Sequence, residues 1–339
     1  MSETDILPAR RLGLLLTDGF ALMSYASLIE PFRAANILAG RTLYEWRHVS
    51  ADGAPVRASN GATILADLRV GEAPDCDTLF VFAAGDPTRF DDRPTFGWLR
   101  RLAREGVMIG GVSGGPYLLA RAGLLDGHRA SVHWEHAAAF EQAFPAVRLE
   151  PVLWVIDRRR ITCAGGSAGL DLAIEMIARE HGHALAGKVS EWFIRTAGRP
   201  AGAAQRASLR ERYGVRNDRV ANALAAMEAA IAEPLAQAQI AARAGVSERQ
   251  LERLFRHHLG CSPRRMHMAI RLDEAARLLR GTGMSVVEVA SACGFQSGSH
   301  FSRAFKARFG HSPGRSAAAA TPASPADAHG ATALTEPPA

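Results

Sequence analysis

The second half of the chain contains a near-copy of itself. Ile240-Ala241, Ala244-Gly245 and Val246 recur 49 positions later as Val289-Ala290, Cys293-Gly294 and Phe295. Beyond that the offset is 50, and Leu251, Arg253, Phe255, Gly260, Ser262 and Pro263 recur as Phe301, Arg303, Phe305, Gly310, Ser312 and Pro313. A repeat of this kind requires two like modules. Each copy reads as helix, tight turn, helix. A small Ala lets two helices cross closely, and the Gly four residues later supplies a corner with positive φ. Ser247 and Ser297 stand where each second helix needs a cap. The change of offset falls between the Gly and the next helix, where a turn absorbs it. Between the copies, Pro263 opens a helix over Arg264 to Leu279, roughly 25 Å long at 1.5 Å per residue.

Charge sorts with the repeat. Residues 1–200 carry 22 Lys and Arg against 23 Asp and Glu, a net of −1, while residues 201–339 carry 18 against 11, a net of +7. Such asymmetry points to a polyanionic partner for the second half, nucleic acid first. The helix between the copies, with the width of its flanking modules, suits two recognition helices about one DNA turn, roughly 34 Å, apart.

Residues 220–315 resemble the DNA-binding domain of the AraC/XylS family of transcription regulators. The stretch Gly294-Phe295, Phe301-Ser302-Arg303-Ala304-Phe305-Lys306, Phe309-Gly310 and Ser312-Pro313 carries the resemblance. It implies two helix-turn-helix motifs reading adjacent major grooves, promoter DNA and RNA polymerase as partners, and a homodimer. On its pattern the first recognition helix presents Arg249, Glu252 and Arg253, and the second presents Gly298, Ser299 and Arg303. Arg side chains reach guanine O6 and N7. Gly298 and Ser299 are short, so the second motif leans towards phosphate contacts.

The first half alternates apolar strands with helices. Strands are expected at Leu12–Leu16, Trp46–Ala51, Thr78–Ala83, Val107–Val112, Leu149–Asp157 and Arg160–Cys163. Helices are expected over residues 21–38, 94–104, Pro116–Ala122 and Leu170–His181. This pattern means a parallel sheet covered on both faces. The expected architecture is an α/β flavodoxin-like three-layer domain over residues 10–195, followed by an all-α double helix-turn-helix domain over residues 218–315. Residues 197–217 read as a linker. The Ala/Pro/Thr-rich residues 316–339 read as a disordered tail.

Gly111-Val112-Ser113-Gly114-Gly115 follows a strand, precedes a helix and fits G-x-S-x-G, the nucleophile elbow. Two readings are open. In one, a hydrolase or amidase uses Ser113 with His133 or His181 as base and Asp157 or Asp126 as orienting acid. In the other, the turn lines a ligand crevice at the carboxyl ends of the strands. Residues 10–195 resemble the PfpI-type glutamine-amidotransferase-like domain in the version fused to an AraC-type module. The matching residues are Glu30-Pro31-Phe32-Arg33-Ala34-Ala35-Asn36, Gly123-Leu124-Leu125-Asp126-Gly127, Val132-His133-Trp134-Glu135 and Cys163-Ala164-Gly165-Gly166. Active members of that superfamily place a cysteine, often an adjacent histidine, and in the PfpI branch an acid, at the positions held here by Ser113, Gly114 and Gly19. All three departures remove chemistry, since a serine without a base is a weak nucleophile. The resemblance therefore favours a ligand pocket on a catalytic scaffold rather than an enzyme. It also implies an effector among small nitrogenous metabolites, such as arginine, glycine betaine or carnitine.

The pocket residues expected are Glu30, Ser113, Gly114, Gly115, Tyr117, His133 and Trp134. Tyr117, Trp134 and Trp154 would offer aromatic faces to a cation. Glu30 or Glu135 would balance its charge, and elbow backbone N–H groups would receive a carboxylate. Trp134 and Trp154 read as core residues more readily than as a ligand platform. Cys163 is either a thiol nucleophile or a buried structural residue. Cys76, Cys163, Cys261 and Cys293 show no metal-ligand spacing, so neither a metal nor another cofactor is expected. The chain has no apolar run near membrane-spanning length. The first ten residues lack the pattern of a secretory signal, which suggests the cytoplasm.

Overall fold

The computed structural model describes residues 8–319, in two compact units, Met1–Ala207 and Ser208–Ala339. In the first unit, β1 (Arg10–Leu16) is buried from Leu12 onwards and leads through Thr17-Asp18-Gly19 into α1 (Leu22–Ala39). Next come β2 (Tyr44–Ser50), the small hairpin of β3 (Val56–Arg57) and β4 (Thr63–Ile64), and β5 (Leu68–Arg69). Then follow β6 (Thr78–Ala83), α2 (Arg93–Arg104), β7 (Met108–Ser113) and α3 (Gly115–Arg121). The unit continues with β8 (Arg129–Ala130), α4 (Ala137–Ala143), β9 (Arg148–Leu149), β10 (Trp154–Asp157) and β11 (Arg160–Cys163). It ends with α5 (Ala168–His181) and α6 (His183–Trp192).

Seven strands form one sheet in the order β10-β11-β7-β6-β1-β2-β5. Successive side chains on a strand point to opposite faces, so each apolar strand feeds two cores. Leu14, Phe80 and Phe82 meet Phe32, Leu172 and Ile177 of α1 and α5 on one face. Leu15, Leu79 and Val81 meet Leu99, Leu118 and Phe140 on the other. This is the expected three-layer α/β domain.

Two expectations about the sheet change. It is not wholly parallel, because β10 runs antiparallel to β11. Only Arg158 and Arg159 join these strands, with Arg158 at φ 55°, and a two-residue loop can connect only antiparallel neighbours. Leu149–Asp157 is also not one strand. Pro151, which has no N–H to donate, separates β9 from β10, and β9 pairs with β8 in a separate two-stranded sheet.

The expected linker divides. Residues 197–207 lie within the first unit and are fastened to it. The Leu153 N–H donates to the Ala201 carbonyl at 3.0 Å, and Val152 bridges to Ala204. The second unit opens with α7 (Leu209–Tyr213), whose Ser208 and Glu211 form a reciprocal cap. Its remaining helices are α8 (Asp218–Ala229), α9 (Gln237–Arg243), α10 (Glu248–Leu259), α11 (Pro263–Gly281), α12 (Val286–Ala292), α13 (Gly298–Phe309) and α14 (Pro313–Ala319). Residues 316–319 thus continue a helix, with Ser316 buried, where a tail was expected. Residues 320–339 of that expected tail lie outside the described residues.

The repeat appears as two modules, α9–α10 and α12–α13, joined by the 19-residue α11. Gly245 and Gly294 turn the corners at φ 67° and 71°. The Ser247 side chain accepts from Gln250 N–H, and Ser297 from His300 N–H. Ile270 of α11 packs into the first module's core, while Leu272, Ala275, Ala276 and Leu279 pack into the second's. Arg271 pins the second turn by donating to the carbonyls of Cys293 (2.8 Å) and Gly294 (2.7 Å).

Two glycines are dictated by close approach. A Cβ on Gly115 would stand 2.0 Å from the Val81 carbonyl oxygen. A Cβ on Gly294 would stand 2.6 Å from Pro234 and 2.7 Å from the Ile231 carbonyl, at a φ that disfavours L side chains. All five tryptophans lie in the first unit, so their fluorescence reads that unit alone in urea denaturation. Gly115→Ala is expected to lower the fluorescence midpoint, at a cost of about 1–3 kcal/mol. Gly294→Ala is expected to leave it in place and to lower the helix-dominated circular-dichroism transition by about 2–4 kcal/mol.

Candidate functional site

The turn after β7 is built by steric necessity. Ser113 ends the strand with φ 62°, a conformation rare outside glycine. The Gly114 N–H donates to the Ala83 carbonyl at 2.8 Å, tying the turn to the end of β6. A Cβ on Gly111 would meet the Pro116 nitrogen at 2.6 Å, and one on Gly165 would meet the Ser113 Cβ at 2.7 Å. Around Ser113, α1 holds the Gly165-Gly166 loop. The Gly166 N–H donates to Ser24 Oγ (2.8 Å), and the Ser27 hydroxyl donates to the Gly166 carbonyl (2.6 Å). The result is a tight turn at the carboxyl edge of the sheet, flanked by the Gly165-Gly166 loop, with Ser113 buried at 9% exposure.

The acyl-transfer reading finds little support in this geometry. Among the described residues no base hydrogen-bonds to Ser113 Oγ. Asp157 accepts from the Arg129 N–H (3.0 Å) and lies 3.1 Å from His128 Nδ1, at the end of β10 that faces the amino end of β7. His181 packs edge-on against Tyr44, at the start of β2. The Gly114 N–H is already spent on Ala83, so it is not the free donor expected for a carboxylate. Burial pushes the Cys163 thiol up to about 12, which keeps it protonated and buried in the core.

Of the other expected pocket residues, Tyr117 is a core residue. It is buried edge-on between Phe140 and Phe144, 5.9 Å and 5.0 Å away between centroids. All of α3 from Gly115 to Ala120 is buried, so its aromatic has no outward face to turn to a ligand. Trp154 is buried as well. Glu30 sits six residues beyond Ser24 along α1, about 9 Å. Its carboxylate is held by Arg33, 2.6 Å away on the same helix, at 39% exposure. His133 does belong to the carboxyl edge. The Ser131 N–H donates to Thr162 Oγ1 of β11 (2.8 Å), so the chain passes this edge just before His133. The His133 Nδ1 lies 3.5 Å from Glu135. Trp134 lies under the Arg206 guanidinium, 4.2 Å from the ring centroid, so one face is already covered by a cation.

Asp86 carries no mark in the sequence that sets it apart from an ordinary turn residue. It follows β6 by three positions, next to the Ala83 that pairs with Ser113. Its side chain is 9% exposed. Oδ1 accepts from the Thr88 N–H and hydroxyl, while Oδ2 is buried with no hydrogen-bond partner among the described residues and lies 3.5 Å from Arg89. A buried carboxylate oxygen of this kind calls for a cation or donor.

A strap of residues 199–206 crosses this part of the unit. Arg199 binds Asp171 and Ser167, the cap of α5 beside Gly166. The Gln205 amide donates to the carbonyls of Val132 (2.9 Å) and Val152 (2.7 Å), and its oxygen accepts the Trp134 N–H (2.8 Å). The chain then runs directly into Ser208 of the second unit.

In that unit, α10 buries Leu251 and Phe255 and exposes Arg249 and Arg253 on the other side. Neither arginine makes an ion pair among the described residues. Glu252 is held by Arg256 at 2.9 Å. On α13, Arg303 is exposed, and Ser299 Oγ lies 2.9 Å from the capping Ser297. His300, exposed on the first turn, was overlooked although it stands 50 positions from Gln250. Gln250 is occupied in the Ser247 cap, so the two helices present different chemistry at matched positions.

Comparison with known proteins agrees with both units. Residues 10–179 match the DJ-1/PfpI family and residues 240–318 match a helix-turn-helix domain. The chain is 44% identical over 299 residues to the HTH-type transcriptional regulator CdhR of Pseudomonas aeruginosa, covering 88% of this chain and 89% of that protein. It is 44% identical over 315 residues to the HTH-type transcriptional regulator GlxA of Rhizobium meliloti, covering 92% and 97%. The crystal structure of an AraC family transcriptional regulator from Pseudomonas putida superposes with a TM-score of 0.50 at 26% identity, covering 54% of this chain and 99% of that one. This chain therefore belongs to the AraC-type DNA-binding transcription regulators that carry a DJ-1/PfpI domain.

Proposed function

We propose that a small nitrogenous effector controls this regulator by binding, without turnover, in the crevice around Ser113, and that the strap carries the signal. The observation that carries the reading is the Gln205 clasp. One side chain ties the segment that feeds the DNA-binding unit to Val132, Trp134 and Val152, at the rim of the crevice. An effector that moves the 131–134 segment must load or release this clasp. Ser113 shapes the floor, with Gly114 and Gly115 fixing the turn and His133 at the rim. Asp86 replaces Glu30 and the aromatic faces as the partner of a cationic head, because its buried Oδ2 accepts no hydrogen bond among the described residues and has Arg89, 3.5 Å away, as its counter-charge. A scaffold that has lost its base and its free elbow N–H is suited to holding a ligand. The resemblance adds a homodimer acting on promoter DNA with RNA polymerase.

On the DNA side, Arg249 and Arg253 read bases from α10, while Arg303, Ser299 and His300 contact DNA from α13. Glu252 orders Arg256 rather than reading a base itself. Arg249→Ala and Arg253→Ala are each expected to cost about 1–3 kcal/mol in operator affinity. Fluorescence anisotropy on operator and random DNA checks this, and equal, unchanged affinities would remove the two arginines from the interface.

The effector site is tested with arginine, glycine betaine and carnitine, reading the change in operator affinity of the full chain. At least one compound is expected to shift it. Asp86→Asn, which keeps the Oδ1 acceptor for Thr88, is expected to weaken that compound at least tenfold, as for a lost charge-assisted contact. Glu30→Gln is expected to respond as wild type. No response to any of the three compounds, or a full response in Asp86→Asn, would dismiss the cation site.

The clasp has its own signature. Gln205→Ala is expected to retain operator binding and effector binding, the latter measured by calorimetry, yet to lose most of the effector's influence on operator affinity. An unchanged influence would show that the signal takes another route.

A further inference from the structure

A cavity of about 550 Å³ lies between α5, α6 and the start of the strap. Its charges do not balance. Asp171, 2% exposed, is shared by two guanidinium groups, Arg195 and Arg199, the latter 2.8 Å away through Nη2. The outer pair, Arg179 and Glu175 at 2.7 Å, is neutral. The ionised side chains of the lining therefore carry one surplus positive charge. Burial, then the charge of Arg199, pulls the Arg195 guanidinium pKa below its ordinary value, as expected where cations outnumber anions. The same cavity is lined by Trp154, 6% exposed, whose Nε1–H is buried and has no acceptor among the described residues. Leaving an indole N–H and a half-compensated guanidinium in a part-buried site is costly on both counts. Ile174 and Pro200 add apolar surface beside them.

We infer that this cavity is a binding site for a small monocarboxylate with an apolar body, whose carboxylate neutralises the Arg195–Asp171–Arg199 cluster and accepts from the Trp154 indole. One negative charge balances the cluster, whereas a phosphate dianion would overshoot it. The apolar body covers Ile174 and Pro200. Arg199 opens the strap, so a carboxylate here is a second input to the same relay, independent of the crevice effector.

Hexanoate is the probe, titrated calorimetrically into the full chain, with hexanamide as the uncharged isostere. Hexanoate is expected to bind and hexanamide to bind at least tenfold more weakly. Trp154→Phe keeps the aromatic plane and removes the N–H. Arg195→Gln leaves Asp171 paired with Arg199 while cancelling the surplus charge. Each is expected to weaken hexanoate roughly tenfold, the effect of one charge-assisted hydrogen bond. No heat at ~10 mM hexanoate, a concentration at which even millimolar affinity shows, would overturn the site. Equal affinity for hexanamide, or unchanged affinity in either folded variant, would do the same. The comparison of hexanoate with hexanamide needs no variant, so it decides even if a substitution prevents folding.

Discussion

The approach of α3 to β6 governs the first unit. Gly115 brings the helix so close that a single added carbon would sit 2.0 Å from the Val81 carbonyl. That contact fixes where the chain must turn, and the turn forces Ser113 to φ 62° and directs the Gly114 N–H into Ala83. Close approach thus accounts for Gly111 and Gly115 of the G-x-S-x-G pattern. The same geometry uses up the Gly114 N–H that an oxyanion would need. Around the turn, the Gly165-Gly166 loop is fastened to Ser24 and Ser27 of α1, which gives the proposed site a fixed backbone. Rigid walls are what a ligand site requires if binding is to push on something.

On the proposed reading, what a ligand pushes on is the strap. A peptide of Ala, Gly and Pro has little apolar surface to bury, yet residues 199–206 are held at Arg199, Ala201, Ala204, Gln205 and Arg206. Most of these contacts are hydrogen bonds, each contributing about 0.5–1.5 kcal/mol net. A segment held this way is ordered but releasable, because no large core has to be broken to free it. Apolar burial of the same segment would have made it a fixed part of the domain. The polar fastening is compatible with a population shift of a few kcal/mol, within the reach of a small ligand's differential affinity.

Several features were legible in the residues. The duplicated Ala-to-Gly spacing, the Ser caps and the Pro helix starts gave two modules, because each sits at a position where backbone geometry admits few alternatives. The β1, β6 and β7 strands were legible for a similar reason, since the buried stretch of a parallel strand covered on both faces is almost wholly apolar. The strap was not legible, because its fastening uses carbonyls, N–H groups and one amide, which leave no hydrophobic pattern. The antiparallel edge was missed because its signal is the two-residue Arg158-Arg159 turn, which lacks the usual Gly or Asn. Tyr117 was misassigned because α3 is buried on every side, so helical period could not separate a ligand face from a core face. Asp86 resembled any capping aspartate. Only the burial of its second oxygen distinguishes it, and burial is a tertiary property.

The positive charge of the second unit also divides in a way that composition conceals. Arg212 is committed to Glu228, Arg256 to Glu252, Arg277 to Glu274 and Arg308 to Asp273. Arg271 is committed to two carbonyls and lies over the Phe295 ring. Arg212, Arg271 and Arg308 tie one helix or turn to another, whereas Arg256 and Arg277 pair within their own helices. Arg249, Arg253 and Arg303 are exposed and make no such pair among the described residues. Arg249, Arg253 and Arg303 thus remain available to a polyanion, as do the exposed Arg216, Arg219, Arg243, Arg264, Arg265, Arg280 and Arg315 elsewhere in the unit. Counterion release scales with the phosphates actually neutralised, not with the arginine count. The internal pairs thus do two things at once. Arg308 ties α13 to α11 and Arg212 ties α7 to α8, and each paired arginine has less charge to offer a phosphate in any register. Specificity benefits from the second effect as much as from the first, because sequence-independent affinity is what a regulator must keep low relative to its operator.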